Sequence, residues 1–405
     1  MVSLMGRLIL CFSLFSMFSM SIHAQCLFDS NSQEYVLPDG TPCPSTIVSA
    51  VPFLRIVPDA RSGAMGDVGI ALSPDANSIH FNSSKLAFAE QKVALSATYT
   101  PWLSALGLQD VYIAYLSGYA KLDDLQALSG SLRYFSLGNI NFTDTNGQPL
   151  GTGRPNEFEL AGSYARKLSD NFSAAITAKF IFSNLAAGQR VNGTGEEIEA
   201  GLAGAADISF TYQKEYDAGL LRLGGAVSNI GSKITYTNSV NRDFLPANIG
   251  IGGAYEMQLD DYNKLTFALD INKALVPTPC LDGCDEDQDG EPDYKAKSSV
   301  SAALGSFSDF NPSLGAKEEF RELMYSIGLE YWYDEQFAVR AGYYTEHQTK
   351  GNRRFLTVGL GLKYNVFGLN FSYLVPTTNQ RNPLDNTLRF SLLFDFGGAA
   401  GIAEE

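Results

Sequence analysis

The stretch Phe355-Leu356-Thr357-Val358-Gly359-Leu360-Gly361-Leu362-Lys363-Tyr364 decides the fold class. In an extended chain successive side chains point to opposite faces. Leu356, Val358, Leu360, Leu362 and Tyr364 therefore share one face, and Thr357, Gly359, Gly361 and Lys363 share the other. The same period recurs in Leu369, Phe371, Tyr373 and Val375, and in Leu388, Phe390, Leu392, Phe394 and Phe396. It is present earlier in Ala174, Ile176, Ala178, Phe180 and Phe182. From Lys92 onward the chain divides into about fourteen such segments, each about ten residues long. They lie near 92–101, 108–118, 130–138, 157–168, 172–184, 200–212, 219–230, 247–258, 263–272, 323–333, 336–345, 355–364, 367–375 and 387–396.

A soluble sandwich would also alternate. The connections separate the two classes. Tight links at 169–171, 213–218, 259–262, 334–335 and 365–366 alternate with longer ones at 139–156, 185–199, 231–246, 273–322 and 376–386. Short turns at one rim, long loops at the other and an even strand number describe a membrane barrel. A sandwich has no reason to sort its loops by parity. The fold class expected is all-β, a transmembrane antiparallel β-barrel. Closure would satisfy every backbone N–H and C=O without water, as hydrocarbon requires. Tyr99, Trp102, Tyr212, Tyr331, Tyr333, Phe367 and Tyr373 near strand ends suit interfacial girdles.

The bulk properties agree. Arg7 precedes an apolar run from Leu8 to Ile22, with Ala24 as a small residue for cleavage. Residues 1–24 thus read as a secretory signal cleaved before Gln25. Cys26 raises a lipoprotein alternative, against which Gln25 stands where a small residue is needed. The 38 Gly, 20 Tyr and 26 Phe residues accompany a mean hydropathy of only −0.05. The formal charge of −15 becomes one unit more negative without Arg7, which argues against nucleic acid as a partner. Cys26, Cys43, Cys280 and Cys284 remain after cleavage and form two pairs close in sequence. Short disulfide loops are the first reading in an exported chain, metal ligation the second.

Ahead of the barrel, residues 25–90 form a separate segment. Its motif runs Asp59-Ala60-Arg61-Ser62-Gly63-Ala64-Met65-Gly66-Asp67-Val68-Gly69, and later Ile79-His80-Phe81-Asn82. Gly63, Gly66 and Gly69 at three-residue spacing suit a backbone packed in a confined space. A phosphate loop is excluded by the lack of a Gly-Lys-Ser/Thr sequence and a following βαβ unit. With Phe337-Ala338-Val339-Arg340-Ala341-Gly342-Tyr343 and Lys363 to Pro376, this segment makes the chain similar to the FadL-like outer-membrane barrels. Within them it resembles more closely the PorV (LptO) family of the Bacteroidetes type IX secretion system. Asn82-Ser83-Ser84 departs from the Asn-Pro-Ala of many FadL-like relatives, which counts against a retained fatty-acid conduit.

The resemblance implies a fourteen-strand barrel with an N-terminal plug in the lumen, with Asp59, Arg61, Gly63, Gly66, Gly69 and Asn82 as plug residues. It implies no catalytic residue. Its partners would be the type IX translocon, secreted cargo with a C-terminal sorting domain, a surface sortase and attachment complex, and outer-membrane lipid. A FadL-like transporter of hydrophobic small molecules is the alternative. The domain reading is signal 1–24, plug segment 25–90, barrel 91–397 and tail 398–405.

Asp285, Asp287, Asp289 and Asp293 with Gly290 match the start of a calcium loop, but Ala296 stands where the twelfth-position Glu belongs. Structural calcium is the cofactor these carboxylates would suit; solvated charge is the other reading. The extracellular loop 273–322 offers short helices at 300–310 and 316–323, with Val300, Ala303, Leu304 and Phe307 on one face, as a partner contact or a lid. After cleavage His80 and His347 remain, neither set in a triad pattern, so no enzyme is expected. Arg340, Lys179 and Arg389 occupy lumen-facing positions, suited to tuning the interior or holding the plug.

Overall fold

The computed structural model describes residues 27–29, 34–36, 47–103, 108, 110–144, 146–190, 195–237, 242–278, 292–309, 317–378 and 386–397. The chain divides into two compact units, Met1–Cys43 and Pro44–Glu405. In the first, Leu27–Asp29 pairs antiparallel with Glu34–Val36.

In the second unit, fourteen strands close into a barrel. They are β1 Val93–Pro101, β2 Val111–Lys121, β3 Gln126–Leu137, β4 Asn156–Lys167, β5 Phe172–Asn184, β6 Gly201–Tyr216 and β7 Gly219–Gly231. The ring continues with β8 Asn248–Gln258, β9 Asn263–Ala274, β10 Leu323–Tyr333, β11 Phe337–Thr345, β12 Arg354–Tyr364, β13 Phe367–Pro376 and β14 Leu388–Phe396. Each strand pairs antiparallel with its neighbour in sequence. β14 closes on β1 with Phe390 opposite Tyr99 and Phe396 opposite Val93.

Alternation becomes an inside-out distribution. On β12, Leu356, Val358, Leu360 and Leu362 face outward and are exposed, while Thr357 and Gly359 are buried. Ser372, Arg389 and Ser391 are fully buried on the inner face of β13 and β14. Greasy residues on the outside and polar ones within are stable only with hydrocarbon around the ring. Among the described residues no helix is long and apolar enough to cross a membrane. Arg340, Lys179 and Arg389 take the inner positions expected of them.

The strand count, the loop parity and most strand ends follow the sequence reading. Several details differ. β6 runs to Tyr216, so the 213–218 link shrinks to the turn at Asp217 and Ala218; tight turn geometry lets pairing reach Tyr216 opposite Gly219. The loop between β3 and β4 carries its own ribbon, Ile140–Thr143 with Pro149–Gly153. The long loop forms shorter helices than expected, Ser299–Gly305 and Lys317–Arg321, plus Asp293–Ala296. The single apolar face expected there is split: Ala303 is buried with Ala302, while Val300, Leu304 and Phe307 are exposed. The smallest side chains let the helix approach the barrel most closely. Trp102 packs on the Phe135 ring, centroids 4.8 Å apart, instead of joining a girdle.

Candidate functional site

Residues 51–90 supply the short helices Ala60–Gly63 and Ser78–Phe81 and the 3₁₀ turns Pro52–Arg55 and Ser83–Phe88. None is long enough to be stable alone. Polar inward-facing side chains from strands around the whole ring hold them, which puts the segment inside the cylinder.

Asp59 caps the first helix, its carboxylate accepting from Ser62 N at 2.8 Å. Burial pushes this carboxyl up to about 6, with the nearby Asp75 adding to the effect. The next N–H, from Ala60, donates to Ser391 Oγ of β14. Arg61 grips Glu330 of β10 with two bonds, Nε at 2.9 Å and Nη2 at 2.8 Å. Its Nη1 reaches Asp75 at 3.1 Å. Glu330 also accepts from Arg340 Nε of β11 at 2.6 Å, and Arg340 donates to Asn370 of β13. One carboxylate thus carries two buried guanidinium groups, and Asp75 balances the second.

The glycines sit where the backbone touches the wall. A Cβ on Gly63 would stand 2.7 Å from the Arg389 guanidinium. Gly66 has φ +70°, lies against Tyr343, and donates its N–H to Thr357 Oγ1 of β12. Gly342 of β11 faces it so closely that a Cβ there would meet Gly66 N at 2.0 Å. Gly69 N and Ile70 N both donate to one oxygen of Asp270 on β9, at 2.7 and 2.9 Å. Lys85, which burial brings down to about 8, donates to Gly69 O.

Asn82 ties the end of the segment to β6. Its Nδ2 donates to Ile70 O, Phe210 O and Thr211 Oγ1, and its Oδ1 accepts from Ser84 N. Ser83 bonds Thr177 of β5, and Ser84 bonds Thr211. The Ser-Ser departure therefore adds polar links to β5 and β6. Arg133 of β3 donates to the carbonyls of Phe53, Leu54 and Ile56 and to His80 Nδ1. His80 is thus engaged by a cation, and burial with Arg133 lowers its pKa well below the usual value. His347 caps the short turn Gln348–Lys350, accepting from Thr349 N.

All six motif residues meet inside the ring. The sequence reading missed their partners Glu330, Asp270, Thr357 and Thr211, and Arg133, which holds Phe53, Leu54, Ile56 and His80. A signal existed: each is polar and sits at the inner parity of its strand. Asp293 opens the helix Asp293–Ala296. Asp285, Asp287, Asp289 and Cys26, Cys43, Cys280 and Cys284 lie outside the described residues.

Two cavities flank the segment. One of about 120 Å³ lies towards the long loops, bordered by Asp67, His80, Lys179, Asn229 and Tyr344. The other, about 210 Å³, lies towards the short turns, bordered by Arg61, Arg222, Glu256, Lys264 and Arg340. No residue lines both.

A closed fourteen-strand ring with a lipid-facing belt and a polar, occupied interior defines the chain as an outer-membrane β-barrel. A family model for the type IX secretion system protein PorV matches residues 42–281, more than half of the chain, and the chain belongs to that family. Among solved structures it is similar to a deltaS2 mutant of TodX, the P. putida toluene transporter, at 13% identity and TM-score 0.50, covering 84% of this chain and 99% of that one. It is also similar to the Ralstonia pickettii toluene transporter TbuX (11% identity, TM-score 0.46, 84% and 98% covered). A Pseudomonas aeruginosa FadL homologue is a third (11%, TM-score 0.43, 87% and 100%). At these identities the likeness concerns the fold alone. No curated protein matches the chain.

Proposed function

We propose that the protein is a non-enzymatic shuttle and adaptor of type IX secretion. It receives cargo bearing the C-terminal sorting domain from the outer-membrane translocon and passes it to a surface sortase complex. Residues 51–90 are its plug, with Asp59, Arg61, Gly63, Gly66, Gly69 and Asn82 as seating residues. The observation that carries this reading is membership of the PorV family, taken together with a lumen whose two cavities are separated by bonded protein. A filled interior leaves the long-loop rim as the working surface.

Transport of hydrophobic molecules is the second reading, favoured by the TodX-like fold. The charged borders of both cavities, including Lys179, Asp67, Arg222 and Lys264, offer little to an apolar solute. Deleting the gene separates the two. Cargo with the sorting domain should stay trapped in the periplasm, with fatty-acid or aromatic uptake unchanged. Normal surface display in the deletion strain overturns the proposal.

A further inference from the structure

The long loop between β9 and β10 does more than rise from the rim. Ala303 of the helix Ser299–Gly305 packs with Ala247 and Leu275 and against Val227, Ile230 and Ile249. Val227 has the strand parity of Leu223, which is 44% exposed on the outer wall; Ile249 has that of Ile251, 55% exposed. That side of the helix therefore leans on the outside of the barrel. Ala302 packs instead with Phe244 and Val276, at the rim.

At roughly 100° per residue, Val300 and Leu304 fall on the flank next to Ala303. Ser301 and Gly305 fall on the flank next to Ala302. Val300, Leu304 and Phe307 are 58%, 71% and 50% exposed. Residues 298–308 contain no charged side chain. A cation beneath them is covered. Lys273 sits at the outward parity of β9, buried under Glu319, Glu322 and the Phe307 ring, 5.7 Å from its Nζ. An apolar flank thus adjoins the lipid-facing wall, and a hydroxyl-bearing flank faces away from it.

We propose that the helix Ser299–Gly305 and the turn after it form a lipid-contacting shelf. Val300, Leu304 and Phe307 enter the acyl chains of the leaflet on the long-loop side and extend the barrel's apolar belt past its rim. The occupant is membrane lipid, because the exposed face is continuous with the wall that lipid already covers and carries no group that lipid would reject. This assignment is independent of the secretion role.

The test uses the full-length protein in phosphatidylcholine vesicles whose acyl chains are brominated near the headgroup. Leu304→Trp and Ser301→Trp are compared with the parent, whose Trp102 and Trp332 set the background. Heat-modifiable gel mobility confirms a folded barrel, and Val300→Trp replaces Leu304→Trp should the latter misfold. The Leu304→Trp emission should be blue-shifted and lose most of its added intensity to bromolipid, while the Ser301→Trp signal yields to aqueous iodide. Equal behaviour of the two sites, or iodide quenching at position 304, overturns the proposal. So does shielding of position 304 that arises only when outer-membrane proteins are added, which would assign the face to a protein partner.

Discussion

Arg61 and Glu330, 269 positions apart in sequence, meet in a two-pronged ion pair inside the ring, at 2.9 and 2.8 Å. Removing one member of a buried pair leaves an uncompensated charge, at a cost of about 3–5 kcal/mol. Glu330→Ala takes the carboxylate from Arg340 and leaves Arg61 with Asp75, and should be the more damaging change. Arg61→Ala leaves Glu330 with Arg340 and should cost less. Thermal denaturation in detergent would rank them; an equal or reversed order would refute the shared-carboxylate arrangement.

The contact of Gly66 with Gly342 leaves no space for a methyl group. Gly342→Ala should unseat the segment while leaving the ring intact. Hydrogen exchange at residues 60–70 should accelerate markedly, with β1 to β14 remaining protected. Unchanged protection of the segment would contradict the packing described. Gly66→Ala adds strain from its positive φ and should act in the same direction.

Asp59 gives a pH dependence. Its carboxyl lies at about 6 in the folded protein against an ordinary 3.8. Between those values the folded form holds a proton that the unfolded chain has released, so stability from this group falls as pH rises from about 4 to 6. Asp59→Asn keeps an oxygen for Ser62 N and carries no charge. The variant should gain on the parent across that window and hold a constant advantage above it, as read from melting temperatures. A gain appearing on acidification would reverse the assignment.

Ser84 bonds Asn82 and Thr211, and Asn82 makes three donations of its own. Ser84→Ala leaves buried partners unsatisfied, at about 1–3 kcal/mol. Ser83→Pro falls at the first position of a 3₁₀ turn, where Pro is tolerated, and should be milder. Denaturant or thermal midpoints of the two single variants would check the order.

The ring was largely legible from the chain because membrane strands obey a strict rule: side chains alternate and loops sort by parity. Leu356 to Leu362 show it without any tertiary knowledge. Arg340, Lys179 and Arg389 could be assigned inward because a charge facing lipid is costly. Their partners could not. Whether Arg61 meets Glu330 or another inner carboxylate depends on how an irregular segment threads the lumen, and no local period encodes that path. The helix Ser299–Gly305 failed differently. Its apolar side chains read as one face for a partner or a lid, and the period alone does not show that the small Ala302 and Ala303 make the apolar packing while Val300 and Leu304 stay exposed.

The seam between β14 and β1 has one more consequence. With Phe390 to Phe396 paired along Tyr99 to Val93, the sheet presents no unpaired edge to a visitor. An incoming polypeptide therefore cannot add itself to the barrel sheet as another strand, the most adhesive form of backbone recognition. A contact with the described barrel wall is therefore made by side chains, a grip that can be released without unzipping hydrogen-bonded backbone.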